Sequence, residues 1–172
     1  CIVTSTLWEV RFPRLVIALA VGAGLGCAGA LLQGIFANPL AEPSIIGVSS
    51  GGAVFASGLL AIASLAGVER SYGFLKWGTA LAAFIGALLT TLLVYSLSRV
   101  QGKTVVVNLI LVGVAINAMA GGFVTLFSFI GGTMAQSQVV FWQLGSLAGA
   151  GWSSAVITLI ITVIGIVIAC LC

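Results

Sequence analysis

The sequence predicts an all-α polytopic membrane protein with about five transmembrane helices and one short interfacial helix. Composition is the first reason. Hydrophobic residues make up 61% of the 172 residues and charged residues 5%, against ~25% charged in a typical soluble domain. The second is how few charges there are: Glu9, Arg11, Arg14, Glu42, Glu69, Arg70, Lys76, Arg99 and Lys103. Nine side chains cannot cover a water-facing surface. The third is their placement. Uncharged runs of 27, 26 and 22 residues separate Arg14 from Glu42, Glu42 from Glu69, and Lys76 from Arg99, and 69 follow Lys103. A bilayer core takes ~20 apolar residues per helical crossing, so each early gap fits one span and the tail fits two. Backbone groups in lipid must be paired within the segment, which makes these spans helices.

Span one is expected at about 15–37. It is introduced by Arg11-Phe-Pro-Arg14, with Pro13 in a first turn where its missing N–H would be unpaired anyway. Its apolar run is too long for the core of a signal peptide. Two prolines, an Asn and a Glu in Asn38–Ser44 break it. Span two, about 45–66, carries a polar, flexible patch at Ser49-Ser-Gly-Gly52. A charged loop from Gly67 to Lys76 leads to span three, about 77–98, closed by Arg99–Lys103. Span four, about 104–130, ends at Gly131-Gly132. The less apolar stretch Thr133–Gly151 reads as a loop and a short helix at about 138–147. Span five, about 152–172, starts at Trp152, a residue type that anchors at membrane interfaces. The whole of 1–172 is expected to form a single transmembrane domain, a piece of a longer protein.

Several function classes drop out. The sequence contains no His, so no histidine-based triad, metal site or proton relay is available within it. No span carries an ionisable residue near its centre, against a proton-coupled carrier or voltage sensor. No glycine-rich loop with a Lys is present for nucleotide phosphates, and a net charge of +3 gives no footing for nucleic acid. Gly24-Leu-Gly-Cys-Ala-Gly29 matches a dinucleotide-binding glycine pattern but lies inside an apolar span, away from any water-accessible sheet edge. Cys1, read as a lipidated cysteine, would add an anchor to a chain already spanning the membrane. Cys27, Cys170 and Cys172 read as packing residues, and no metal site is expected.

Small residues recur every four positions at Gly22, Gly26, Ala30 and Gly34. In lipid such a stripe lets helices approach closely, so span one is expected to be central and tightly packed. Asn117 sits mid-span, where an unmet amide costs several kcal/mol. It is expected either to bond another helix or to face a translocation path. Gln33 is expected to cap the end of span one. If the N-terminus is cytoplasmic, four basic residues face inward and two outward, a narrow margin under the positive-inside rule.

Taken together, Arg11-Phe-Pro-Arg14, Gly29-Ala-Leu-Leu-Gln-Gly34, Asn38-Pro-Leu-Ala-Glu-Pro43 and Ile46-Gly-Val-Ser-Ser-Gly51 resemble the permease subunit of FecCD-type ABC importers, which take up ferric siderophores, haem or vitamin B12. Leu111–Asn117 and Phe141-Trp-Gln-Leu-Gly-Ser-Leu147 continue the resemblance in order and spacing. It rests on Arg11, Pro13, Arg14, Gln33, Asn38, Pro39, Leu40, Ala41, Pro43, Gly47, Trp142 and Gly145.

The resemblance implies about half of a ten-helix type II permease in a bacterial or archaeal cytoplasmic membrane. It implies pairing with a second permease subunit, two cytoplasmic ATPase subunits that use ATP and Mg, and an extracytoplasmic binding protein. No cofactor would be bound by this chain. Asn38–Ser44 and Arg99–Lys103 would be cytoplasmic, opposite to the charge count, and the dozen matched positions outweigh that narrow margin. Transport would proceed by alternating access, with Ser49, Ser50, Gly51, Asn117, Gln138, Gln143 and Ser146 along the path. A ferric siderophore is the expected cargo, ahead of haem and vitamin B12. The alternatives are a small self-contained oligomeric channel or secondary carrier, or a non-transporting membrane scaffold.

Overall fold

The computed structural model describes residues 6–39, 41–67, 72–100 and 103–171. Leu40, Glu69, Arg70, Cys1 and Cys172 lie outside the described residues. Among the described residues six α-helices carry the fold: α1 (Phe12–Phe36), α2 (Val48–Leu65), α3 (Tyr72–Leu97), α4 (Val106–Ile130), α5 (Gly132–Leu144) and α6 (Trp152–Leu171). A minimal antiparallel ladder, β1 (Arg99–Val100) with β2 (Lys103–Thr104), joins α3 to α4 by pairing Arg99 with Thr104 and Val100 with Lys103. Among the described residues, five segments are long and apolar enough to cross a membrane: Leu7–Phe36, Val48–Leu65, Trp77–Leu97, Val106–Ile130 and Trp152–Leu171. Apart from that two-residue ladder the regular structure is helical, that of a multi-pass membrane protein.

The ends of α1 follow from its sequence. A wide π-helical turn over Leu7–Arg11 precedes it, in which the Phe12 N–H donates to the Leu7 carbonyl. The same register would send the N–H of residue 13 to the Trp8 carbonyl, but Pro13 has none. The Trp152 indole Nε1–H donates to that carbonyl instead, at 3.1 Å. At the other end Ala37 is left-handed (φ 47°). Its N–H donates to Gly34 at 3.2 Å and that of Asn38 to Gln33 at 3.1 Å. These two bonds form a Schellman cap, and Pro39 prevents continuation. The polar cap expected at Gln33 is therefore its backbone carbonyl.

Contacts group the chain into two compact units where a single domain over 1–172 is expected: Cys1–Glu42 with Gly145–Cys172, and Pro43–Leu144. In the second unit α2 is the central helix, burying Gly51, Gly52, Ala56, Ser57, Leu60 and Ala61. It meets α3 backbone to backbone. A Cβ at Gly51 would stand 2.6 Å from the Gly86 carbonyl oxygen, and one at Gly52 3.3 Å from that of Ala83. Against α4, a Cβ on Gly58 would stand 3.4 Å from the Phe127 ring. The Ser64 hydroxyl donates to the Gly131 carbonyl at 2.8 Å, closing the end of α4. In the first unit α1 pairs with α6, where a Cβ on Gly24 would stand 3.4 Å from Thr162 Cγ2.

Two expectations need correction. In the first unit the stripe Gly22, Gly26, Ala30, Gly34 makes no close approach to α6: Cβ atoms at the three glycines would meet nothing within 4 Å, and Ala30 is exposed. The face of α1 that meets α6 carries Gly24, Cys27, Ala28 and Leu31. That face starts two residues further along, about 200° around the helix at ~100° per residue. The second concerns the interfacial helix, which starts at Gly132 and ends at Leu144, not 138–147. Gly132 (φ 74°) supplies the sharp turn at once and Gly145 (φ 69°) ends the helix, so no loop is needed over Thr133–Ser137.

Several hydroxyls in and beside the spans are satisfied by the carbonyl of a preceding turn. Thr79, Thr91, Thr125 and Ser128 donate to the carbonyl four residues back, at 2.7, 2.8, 2.9 and 2.8 Å. Ser57 donates three residues back at 3.0 Å and Ser98 four back at 2.5 Å.

Candidate functional site

The second unit contains a groove of about 330 Å³ lined by Ser50 and Ala53 of α2, Asn117, Ala120, Gly121, Val124 and Thr125 of α4, and Gln143 of α5. The α4 positions recur at helical spacing along one face. One turn before Asn117, a Cβ on Gly113 would collide with the Ile45 carbonyl oxygen. Glycine there lets the 3₁₀ turn Pro43–Ile46 lie directly on α4. Gly47 (φ 80°) then turns the chain into α2, a conformation that costs a residue with a Cβ roughly 1–2 kcal/mol.

Asn117 joins these pieces. Its Nδ2 donates to the Ser44 carbonyl at 3.0 Å, and its Oδ1 accepts the Ser50 hydroxyl at 2.6 Å. The Gly47 carbonyl also lies 3.1 Å from Ser50 Oγ. A serine has one hydroxyl hydrogen, and the shorter contact takes it. An asparagine amide offers two N–H donors and two lone pairs, so one of each remains for water or a ligand in the groove. No ionisable side chain lines it. Its chemistry is neutral hydrogen bonding beside methyl and methylene groups, suited to weak, reversible contact. Among the described residues no group of three or more His, Cys, Asp or Glu side chains could hold a metal ion.

Of the path residues expected from sequence, the structure brings Ser50, Asn117 and Gln143 together around the groove. Ser49 is exposed and Gly51 is buried against Thr90 and Gly86 of α3; neither lines it. Three consecutive helical residues point ~100° apart, so only one of them can take the groove side. Gln138 is half-buried off the lining. Ser146 belongs to the other unit, where its hydroxyl accepts the Ala148 N–H at 3.1 Å. Ala53, Ala120, Gly121, Val124 and Thr125 were not among the expected residues. Counting three, four, seven and eight positions on from Asn117 would have found the four on α4.

The motif residues hold turns. Arg14 Nη2 donates to the Ala148 carbonyl at 2.9 Å while its Nε is buried without a partner. Arg11 is exposed and Pro13 is buried. The Ala41 N–H donates to the Asn38 carbonyl at 3.1 Å, Pro43 opens the 3₁₀ turn, and Trp142 is exposed near the end of α5. In the first unit a smaller groove of about 240 Å³ between α1 and α6 contains Cys27. Its walls are almost wholly apolar, which fits the packing role expected of that cysteine.

The profile of the FecCD transport family matches residues 2–172. The cobalamin import system permease protein BtuC of Halobacterium salinarum is 36% identical over 156 residues, 91% of this chain and 40% of its own length. The hemin transport system permease protein HmuU of Yersinia pestis is 34% identical, covering 88% of this chain and 44% of its own. A solved structure described as an inward-facing conformation of a metal-chelate type ABC transporter superposes with a TM-score of 0.73 at 33% identity. It covers 89% of this chain and 46% of that one. The chain thus spans less than half the length of these relatives. With five apolar spans, a profile match over nearly every residue and relatives that are import permeases, the chain belongs to the FecCD transport family.

Proposed function

We propose that this chain forms part of the permease subunit of an ATP-binding-cassette importer that moves a bulky metal chelate across the cytoplasmic membrane by alternating access. The observation that carries the reading is the neutral groove of Ser50, Asn117, Thr125 and Gln143 within a chain of this family. A path for a large chelate needs hydrogen-bonding groups that ease passage without trapping, and charge is absent from the lining. The partners are a second permease subunit, cytoplasmic ATPase subunits that use ATP and Mg, and an extracytoplasmic binding protein. This chain performs no ATP chemistry. Because two of its relatives are named for cobalamin and hemin, corrinoid and haem move ahead of the ferric siderophore as cargo.

The test uses the full-length permease, reconstituted in liposomes with its ATPase and binding protein. Cyanocobalamin, haemin and a ferric siderophore are offered in turn. Accumulation of one of them, abolished when ATP is withheld, is the expected result. Accumulation that persists without ATP would point to a channel or secondary carrier, and no accumulation of any chelate would sink the proposal.

A further inference from the structure

The chain crosses between its two compact units at Glu42/Pro43 and again at Leu144/Gly145. Immediately after the first crossing comes the 3₁₀ turn Pro43–Ile46. Three features fasten this turn to the second unit. The Ile45 carbonyl is seated against the missing side chain of Gly113. The Ser44 carbonyl accepts both the Gly47 N–H at 3.1 Å and Asn117 Nδ2 at 3.0 Å. Ser50, on the first turns of α2, donates to the other end of the same amide. Of these, only the amide bonds bridge from α4 to both the turn and α2, and the same side chain borders the groove.

We infer that Asn117 is a positioning residue that pins the start of the second unit to the groove wall. Movement of the chain at Pro43 is then passed to α4 rather than absorbed by a loose turn. A half-buried amide suits this role: it holds a backbone carbonyl of the turn and a hydroxyl of α2 at once, so losing it frees both ends together. The inference rests on the transport reading for its consequence but not for its geometry.

Two measurements on the full-length permease with its ATPase test it. The first is hydrogen–deuterium exchange of the peptide covering 43–51, which contains the Gly47 amide. Asn117→Leu removes both bonds, and Asn117→Asp removes the donor to Ser44. Both are expected to speed exchange there at least tenfold and to leave α6 unchanged. The second is ATP hydrolysed per cargo molecule moved, expected to rise several-fold in both variants. A variant that merely loses stability lowers hydrolysis and uptake together and leaves that ratio alone. Unchanged exchange over 43–51 overturns the pin. Faster exchange with an unchanged ratio overturns its role in coupling. Should Asn117→Leu loosen α6 as well, Ser50→Ala, which removes only the Oδ1 partner, is judged by the same two outcomes. If the unaltered permease moves no cargo, the transport reading fails while the exchange measurement still decides the pin.

Discussion

Placing a methyl group between α2 and α3 is the sharpest test of how this bundle is held together. In Gly51→Ala the new Cβ would stand 2.6 Å from the Gly86 carbonyl oxygen, where ordinary contact begins near 3.4 Å. The new Cβ, Thr90 Cβ at 2.5 Å and the Gly86 oxygen are all fixed by backbone, so no rotamer can give way and the helices must part by about 0.9 Å. A gap of that size forfeits roughly a quarter to a half of each dispersion contact along the interface. Overpacking of this kind costs about 1–3 kcal/mol, and the upper end applies where nothing can flex. Replacing a helical glycine by alanine returns about 1 kcal/mol of helix propensity. The net expectation is a loss of about 2 kcal/mol. Gly26→Ala, where a Cβ meets nothing within 4 Å, is the control and should be neutral or slightly stabilising. Gly86→Ala opens the same seam from the other side, so the double variant should lose clearly less than the two single losses combined. Unfolding of the full-length permease in detergent, followed by tryptophan fluorescence, measures all four. Equal stability of Gly51→Ala and Gly26→Ala, or strict additivity of the pair, would refute the backbone contact.

Three other outcomes are expected. Trp152→Phe should cost about 1 kcal/mol while Pro13 leaves the Trp8 carbonyl free, and almost nothing in a Pro13→Ala background where a backbone N–H can take that carbonyl. A thermodynamic cycle with no coupling would disprove the exchange of donors. Gly47→Ala combines a left-handed backbone (φ 80°) with a Cβ 2.9 Å from Thr90 Cγ2 and should lower stability by at least about 1 kcal/mol, read as a fall in thermal midpoint; an unchanged midpoint contradicts it. Gln143→Leu should reduce ATP-dependent uptake several-fold at constant membrane abundance. Unaltered uptake would remove Gln143 from the path.

The five spans were legible because lipid imposes a coarse rule that charge spacing reports directly. What the sequence concealed depends on direction around each helix. The stripe at Gly22, Gly26, Ala30 and Gly34 has the right spacing, but spacing does not say which face meets a neighbour; α1 turns its Gly24–Leu31 face to α6. Asn117 was conspicuous as an amide at bilayer depth. Its main partner was not, because the Ser44 carbonyl is backbone and carries no residue-type signal. Gly113, one turn away, permits that contact and reads in the sequence as one small residue among 23 glycines. The start of α5 was hidden because Gln136 and Ser137 look like loop residues, yet both sit within a helix.

The serine and threonine hydroxyls that fold back on their own helices have a consequence for biogenesis and for sequence drift. A hydroxyl already bonded to the carbonyl three or four residues behind it presents the translocation machinery with little more polarity than alanine. Positions such as Thr91 and Ser128 can therefore exchange among Ser, Thr and Ala without altering membrane insertion. Asn117 has no such neutral route: its amide is satisfied only after α2 and the turn before it have docked. During synthesis that side chain must wait in an unfavourable medium, which gives the nascent chain a reason to assemble α2 and α4 early.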